Sequence, residues 1–232
     1  LPPDVVEALA RNLYDARRAR TQLRHFSRAY PQMTIADGYA IQRAWVRLEQ
    51  ADGRVVKGRK IGLTSRAMQQ ASQISEPDFA PLMDDMFFAA GGDIPVANFI
   101  APRVEVELAF VLARPLAGPH ATRDDVLAAT DYVTPAIEII DARIEQFDRH
   151  SKVMRKVYDT ISDNAANGGI VIGAGRADAR AIDRPWVGAI LRQNGAVEET
   201  GLAAGVQGDP AIGVAWLANK LAPWGESLKA GQ

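Results

Sequence analysis

The chain has 232 residues, a formal net charge of −1, 47% hydrophobic and 24% charged residues, and no cysteine. That length supports one large core, or a core with an extension. The balanced charge gives no drive toward nucleic acid or an anionic membrane, and the lack of cysteine excludes disulfides, thiolate metal sites and a cysteine nucleophile. No apolar run is long enough to span a bilayer, and Leu1-Pro2-Pro3-Asp4 shows no charged-then-apolar leader; together with the lack of cysteine this fits the expectation of a cytoplasmic protein.

Val5, Val6, Leu9 and Leu13 recur at helical spacing and predict a first helix. The basic run Arg17-Arg18-Ala19-Arg20 reads as its solvated face. Pro31 interrupts the chain. Thr34-Ile35-Ala36-Asp37 then opens a second helix with a threonine cap, and Asp52-Gly53 closes it. Residues 1–53 are expected to form a helical N-terminal part, and 54–232 a β-rich part integrated with it. Arg54 to Ser65 reads as a strand passing into a short helix at Ser65. Lys60 shares a face with Val56, Gly58 and Gly62, away from Lys57 and Arg59. Spacing leaves two readings open, a lysine snorkelling to water and a functional one. Ser75 to Phe88 reads as a loop stiffened by Pro77 and Pro81, then a short apolar strand; its mixture of acids and large apolar side chains suits a pocket wall. Asp78 there is by default a turn residue beside proline, and alternatively an active-site carboxylate.

Pro102 to Ala113 reads as a strand with two mainly apolar faces, as if covered on both sides. Glu105 and Glu107 fall on the same face. Buried like charges at that spacing are costly unless a cation lies between them, and a hard divalent ion takes oxygen ligands. A helix opened by Thr122-Arg123-Asp124-Asp125 leads to a second apolar strand, Thr134 to Ile140, with the lone carboxylate Glu138. Asp141 at its end either orients a metal ligand or, the favoured reading, caps the next turn. Arg143 to Arg155 is dense in charge and is expected to be exposed, with His150 a surface histidine. Asp163 to Gly169 reads as a tight turn before the buried strand Ile170 to Gly173. Asn194-Gly195 predicts a hairpin across Val187 to Thr200, and Asp209-Pro210 a final helix with Val214, Trp216, Leu217 and Leu221 in its body. Leu228 to Gln232 reads as the approach to a further strand.

Gly58-Arg59-Lys60-Ile61-Gly62-Leu63-Thr64-Ser65, Ser75-Glu76-Pro77-Asp78, Leu82-Met83-Asp84-Asp85-Met86-Phe87-Phe88, Glu105-Val106-Glu107 and Asp163-Asn164-Ala165-Ala166 follow one another in this order. In this the chain resembles the hydratase/decarboxylase family of the fumarylacetoacetate hydrolase superfamily along essentially its whole length. The resemblance implies an α+β fold, a mainly β mixed-sheet core of that superfamily's C-terminal type with a helical N-terminal part. It implies Mg²⁺, or Mn²⁺, held by Glu105, Glu107 and Glu138, with Lys60 and Asp78 as catalytic groups. It further implies a homo-oligomer that adds water to a 2-oxo/2-hydroxydienoate in meta-cleavage catabolism of aromatic compounds, with a C7 dioate as the nearest substrate. Decarboxylation of a 2-oxo-3-hexenedioate, hydration of a 2-hydroxypentadienoate and a non-catalytic metal-binding protein are the alternatives. The superfamily's hydrolases carry a histidine-centred water-activating motif, and nothing around His25, His120 or His150 resembles it. Strands beyond Gln232 are expected to contribute to the site. A distal substrate carboxylate would need a cation, for which Arg59, Arg66 and Arg103 are candidates.

Overall fold

The N-terminal helices begin where their caps dictate. In a computed structural model that describes residues 1–232, α1 spans Pro3–Ala19, with a proline at its first position, Asp4 in its first turn and Arg17 and Arg18 in its last. A short α2 follows at Phe26–Ala29. Next comes α3, Ile35–Ala51, opened by a capping box in which Thr34 and Asp37 satisfy each other's backbone amides. Leu9, Leu13, Ile41, Ala44 and Trp45 interlock in one apolar cluster between α1 and α3. The buried Gln42 donates to the carbonyls of Phe79 (2.9 Å) and Ile161 (3.1 Å), which ties α3 to the β-rich part.

β1 (Val56–Gly62) runs into α4 (Arg66–Ala71), whose N-cap is Ser65. β2 (Asp78–Met83) lies antiparallel to β1 as a separate two-stranded ladder. The apolar strand expected after a loop within Ser75 to Phe88 is present, and it begins as early as Asp78, ahead of Pro81. Every residue of β2 is buried, and Pro81 is tolerated because its carbonyl accepts from Asn167 Nδ2 (2.7 Å). Its amide edge thus faces away from β1, and the missing N–H costs no ladder bond.

The main sheet has the order β3-β6-β5-β4. β3 is Phe87–Phe88, β4 Arg103–Leu112, β5 Thr130–Ile140 and β6 Asn167–Ile172. Between β4 and β5 lies α5 (Arg123–Ala129), capped reciprocally by Thr122 and Asp125, and α6 (Val157–Ser162) precedes β6. β4 pairs only with β5 and is the edge strand, and the exposure of its first half shows that it is not covered on both faces as its composition implied. Val104 and Val106 are 51% and 44% exposed, on the face opposite the glutamates.

Asn194 (φ 50°) and Gly195 (φ 87°) close the hairpin of β7 (Gly188–Gln193) and β8 (Ala196–Leu202). Consecutive left-handed residues match the twist of the strands they join. The last helix, α7 (Pro210–Leu221), is capped by the Asp209 carboxylate on Ala211 N–H. The final residues return to the end of β4, where Gly231 N–H donates to Leu112 O and Leu112 N–H to Gln232 O (both 2.8 Å). No helix is long and apolar enough to cross a membrane.

The charged stretch Arg143 to Arg155 is exposed over most of its length, as expected, with His150 at the surface, but its start turns inward. Arg143 and Ile144 are buried and Asp148 is fully enclosed. The Arg143 guanidinium donates to Asp163 Oδ1 (2.6 Å) and to the carbonyls of Asp141 (2.6 Å), Asp163 (2.6 Å) and Asn167. Saturating its donors in this way makes its burial tolerable.

Candidate active site

Sheet register brings three glutamates together. Glu105 of β4 pairs directly with Glu138 of β5. Cross-strand partners share a face, as do residues two apart along a strand, so Glu107 joins them. One carboxylate oxygen from each lies within 4.8 Å of the others. Glu138 is 2% exposed, Glu107 half-buried and Glu105 at the solvent-facing rim. The expectation of a buried pair thus holds for neither member of Glu105/Glu107 in full. The buried carboxylate is Glu138.

The β1–β2 ladder supplies the other side. Lys60 pairs with Ala80 and Gly62 with Asp78, so Lys60 and Asp78 share a face. The Lys60 ammonium reaches Glu138 Oε1 at 3.0 Å, and both side chains are almost wholly enclosed. That contact removes the snorkelling reading. Asp78 is 1% exposed, and neither of its carboxylate oxygens has a hydrogen-bond partner. It is therefore not the turn residue its position beside Pro77 suggested. Gly62 was not expected to matter, yet a Cβ there would collide with Asp78 Oδ1 and sit 3.6 Å from Lys60 Nζ. Its missing side chain is the space the pair occupies.

Electrostatics follow from crowding. Burial pushes the Glu107 carboxyl up to about 7, with the charge of Glu138 adding to it. Burial also raises Glu105, against the pull of Lys60. Asp78 is raised above the usual carboxylate range, again by burial first, with Lys60 opposing and Glu138 reinforcing. Burial disfavours the Lys60 ammonium, but Glu138 and then Asp78 outweigh it and leave its pKa above that of an ordinary lysine. Four carboxylates face one ammonium, and the orphaned oxygens are hard donors. This donor set fits a divalent cation of the Mg²⁺ type, with Glu105, Glu107 and Glu138 as the residues that would hold it.

Three other expectations are settled. The Asp141 carboxylate accepts from the amides of Ile100 (2.9 Å) and Ala101 (2.8 Å), so it fixes the segment entering β4 instead of capping the next turn or a metal ligand. The turn after Asp163 is confirmed, with left-handed φ at Asn164, Ala165 and Ala166. Arg59 is committed to Glu226 on the other side of β1.

The chain is 57% identical over 224 residues to 2-oxo-hept-4-ene-1,7-dioate hydratase of Escherichia coli, spanning 97% of this chain and 84% of the relative. The chain belongs to the hydratase/decarboxylase family. A second member, 2-hydroxyhexa-2,4-dienoate hydratase of Comamonas testosteroni, is 40% identical over 98% of this chain and 84% of its own length. Among solved structures, the family's 4-oxalocrotonate decarboxylase from Pseudomonas putida G7, complexed with magnesium and adipate, superposes with a TM-score of 0.92 at 33% identity, covering 100% of this chain and 86% of that one. No family model matches the chain. The family's α+β architecture and its divalent-metal chemistry agree with the sheet and the three-carboxylate cluster described above.

A pH dependence follows. A carboxyl whose folded pKa lies above its unfolded value favours the fold below the unfolded value, and loses that contribution as pH rises through the folded one. For Glu107 that window runs from the ordinary carboxylate range up to about 7. Divalent binding requires the ionised form, so it competes with the proton. Mg²⁺ should raise the melting temperature more at about pH 8 than at about pH 5.5, and calorimetry near pH 7 should show proton release. Equal thermal shifts at both pH values would contradict the assignment of Glu107 as a ligand.

Proposed function

We propose that the protein is a divalent-metal-dependent hydro-lyase that adds water to 2-hydroxyhepta-2,4-diene-1,7-dioate, giving 4-hydroxy-2-oxoheptanedioate. The observation that carries this reading is the convergence of the Lys60–Glu138 contact and the orphaned Asp78 beside three facing carboxylates. The 57% identity to a hydratase of that substrate supports it. When bound by Glu105, Glu107 and Glu138, Mg²⁺ supplies a Lewis acid for the substrate's C1 carboxylate and 2-oxygen.

The protein's own groups divide the remaining work. Lys60, held cationic by Glu138, places a positive donor beside the 2-oxygen, where negative charge gathers as the enol ketonises and again as water adds. Burial raises the Asp78 carboxyl above the usual carboxylate range, which suits it to deliver a proton to C5 and then, as the carboxylate, to take one from the water adding at C4. Burial of both groups excludes bulk water from the proton path. A homo-oligomer belongs to the same proposal. Val104, Val106 and Ile137 leave an apolar strip on the opposite sheet face, a surface that a second copy would cover.

The test is incubation with the dienoate and Mg²⁺, following both the 4-hydroxy product and CO₂. Hydrated product without CO₂ supports the proposal. CO₂ release from a 2-oxo-3-hexenedioate, with no hydration, would move the protein to the family's decarboxylases. Mg²⁺ binding that never supports oxalate binding would indicate a non-catalytic site.

A further inference from the structure

The β1–β2 ladder ends at the Gly62–Asp78 pair. Beyond it the two chains separate. Leu63 takes a left-handed φ of 53° and turns one chain into Thr64, Ser65 and Arg66, while Ser75, Glu76 and Pro77 lead in from the other. The space between them is a cleft of about 610 Å³, closed on its far side by residues 204–208 and Trp216. It does not include the three glutamates. It abuts the site at the Asp78 end, because Pro77 is part of its wall and Thr64 lies two residues from Gly62. Lys60 meets Glu138, and Asp78, on the same face as Lys60, adjoins Pro77 in the cleft wall.

The cleft's charge is uneven. Only two of its lining side chains are ionic, Arg66 and Glu76. Glu76 is neutralised by Lys220 at 2.6 Å. Arg66 has no acidic partner within ion-pair distance and stands solvent-accessible at the mouth, while its polar neighbours are engaged locally, Gln69 Nε2 donating to Leu63 O (2.9 Å) and Ser65 Oγ accepting from Met68 N–H (3.2 Å). An unpaired guanidinium of this kind recognises a carboxylate. Neither rival cation fits as well, since Arg59 is spent on Glu226 and Arg103 stands exposed at the outer start of β4, away from the cleft.

We propose that this cleft, through Arg66, binds the distal carboxylate of an elongated 2-oxo dicarboxylate whose C1 end lies at Lys60 and the glutamates. Arg66 thereby sets selectivity for dioates over monocarboxylic dienoates. The proposal rests on the reading of the site given above. It names the feature that would separate this chain from a member such as the hexa-2,4-dienoate hydratase, whose named substrate has no second carboxylate.

The probes are 2-oxoheptanedioate and 2-oxoheptanoate, stable acids that differ in the distal carboxylate, titrated by calorimetry with saturating Mg²⁺. The unmodified protein should bind the dioate about ten- to a hundredfold more tightly, the range for one charge-assisted contact. In Arg66→Gln that ratio should collapse to within about threefold, with the monoacid as internal reference. Arg103→Gln should leave the ratio intact. A ratio preserved in Arg66→Gln, or lost in Arg103→Gln instead, overturns the assignment. Failure of both acids to bind the unmodified protein with Mg²⁺ overturns the reading of the site itself. Near-equal binding of both acids by the unmodified protein overturns only the distal subsite.

Discussion

Glu138→Gln is expected to abolish hydration while leaving the protein folded. Two effects coincide at this residue. Its carboxylate is the enclosed member of the three-glutamate cluster and the charge partner of Lys60 at 3.0 Å. Losing a hydrogen-bond partner of a metal ligand already costs about 10–100-fold in affinity, so losing an anionic ligand should weaken Mg²⁺ by about a hundredfold or more. Removing one preorganised electrostatic group at a developing oxyanion typically costs about 10²–10³ in turnover. The substitution also leaves Lys60 without its nearest counter-ion, and the two losses compound. Stability should behave differently. Breaking a buried ion pair commonly costs about 3–5 kcal/mol, but here Asp78, Glu105 and Glu107 still surround the ammonium, and the metal-free cluster is relieved of one repelling charge. The metal-free melting temperature should therefore move little. Lys60→Ala provides the contrast, with turnover lowered by about 10²–10⁴ and Mg²⁺ still bound. Circular dichroism, Mg²⁺ calorimetry and a turnover assay on both variants decide the matter. Hydration by Glu138→Gln with unchanged Mg²⁺ affinity would remove this residue from the ligand set.

The site was legible where chemistry contradicts its surroundings. A carboxylate in an apolar strand, as at Glu138, or a lysine on a face of glycines, as at Lys60, breaks the expected alternation and stands out from one sequence. Caps were legible for the same local reason, at Thr34, Ser65, Thr122 and Asp209. What alternation could not reveal was pairing. Whether β4 is central or at an edge depends on which strands lie beside it, and its valines look alike in either place. The early start of the strand at Asp78 was obscured by Pro81, whose tolerance rests on Asn167 reaching it from 86 residues away. Gly62 was silent because its role is absence of a side chain, visible only once Asp78 is across from it. The run from Arg143 to Arg155 misled only at its start, where Arg143 is buried. Charge density there resembles a solvated surface, and only the long-range partner Asp163 turns Arg143 into a core residue.

That partner makes Arg143 a position with a large expected stability effect. Arg143→Met should destabilise the protein by about 3–5 kcal/mol, the cost of stranding one member of a buried ion pair. The side chains of Arg143 and Asp163 are 2% and 0% exposed, so water cannot replace the lost donors. Asp163 keeps the amides of Arg143 (2.7 Å) and Ile144 (2.9 Å), but its other oxygen loses the guanidinium, and the carbonyls of Asp141 and Asn167 lose a donor they share. Arg155, 3.9 Å from Asp163, is too distant to substitute fully. For a chain of this size the cost corresponds to a fall in melting temperature of roughly 6–20 °C. Adding Asp163→Asn should recover part of it, because the stranded charge is then gone, whereas two independent losses would simply add. The pair pins the turn that follows β5 and not the carboxylates themselves. At a temperature where Arg143→Met is folded, its Mg²⁺ affinity should therefore stay within a few-fold of the unmodified protein. A variant that melts normally would show that Asp163 is protonated or re-solvated without Arg143. One that keeps its melting temperature but loses Mg²⁺ would make Arg143 part of the site rather than of its support.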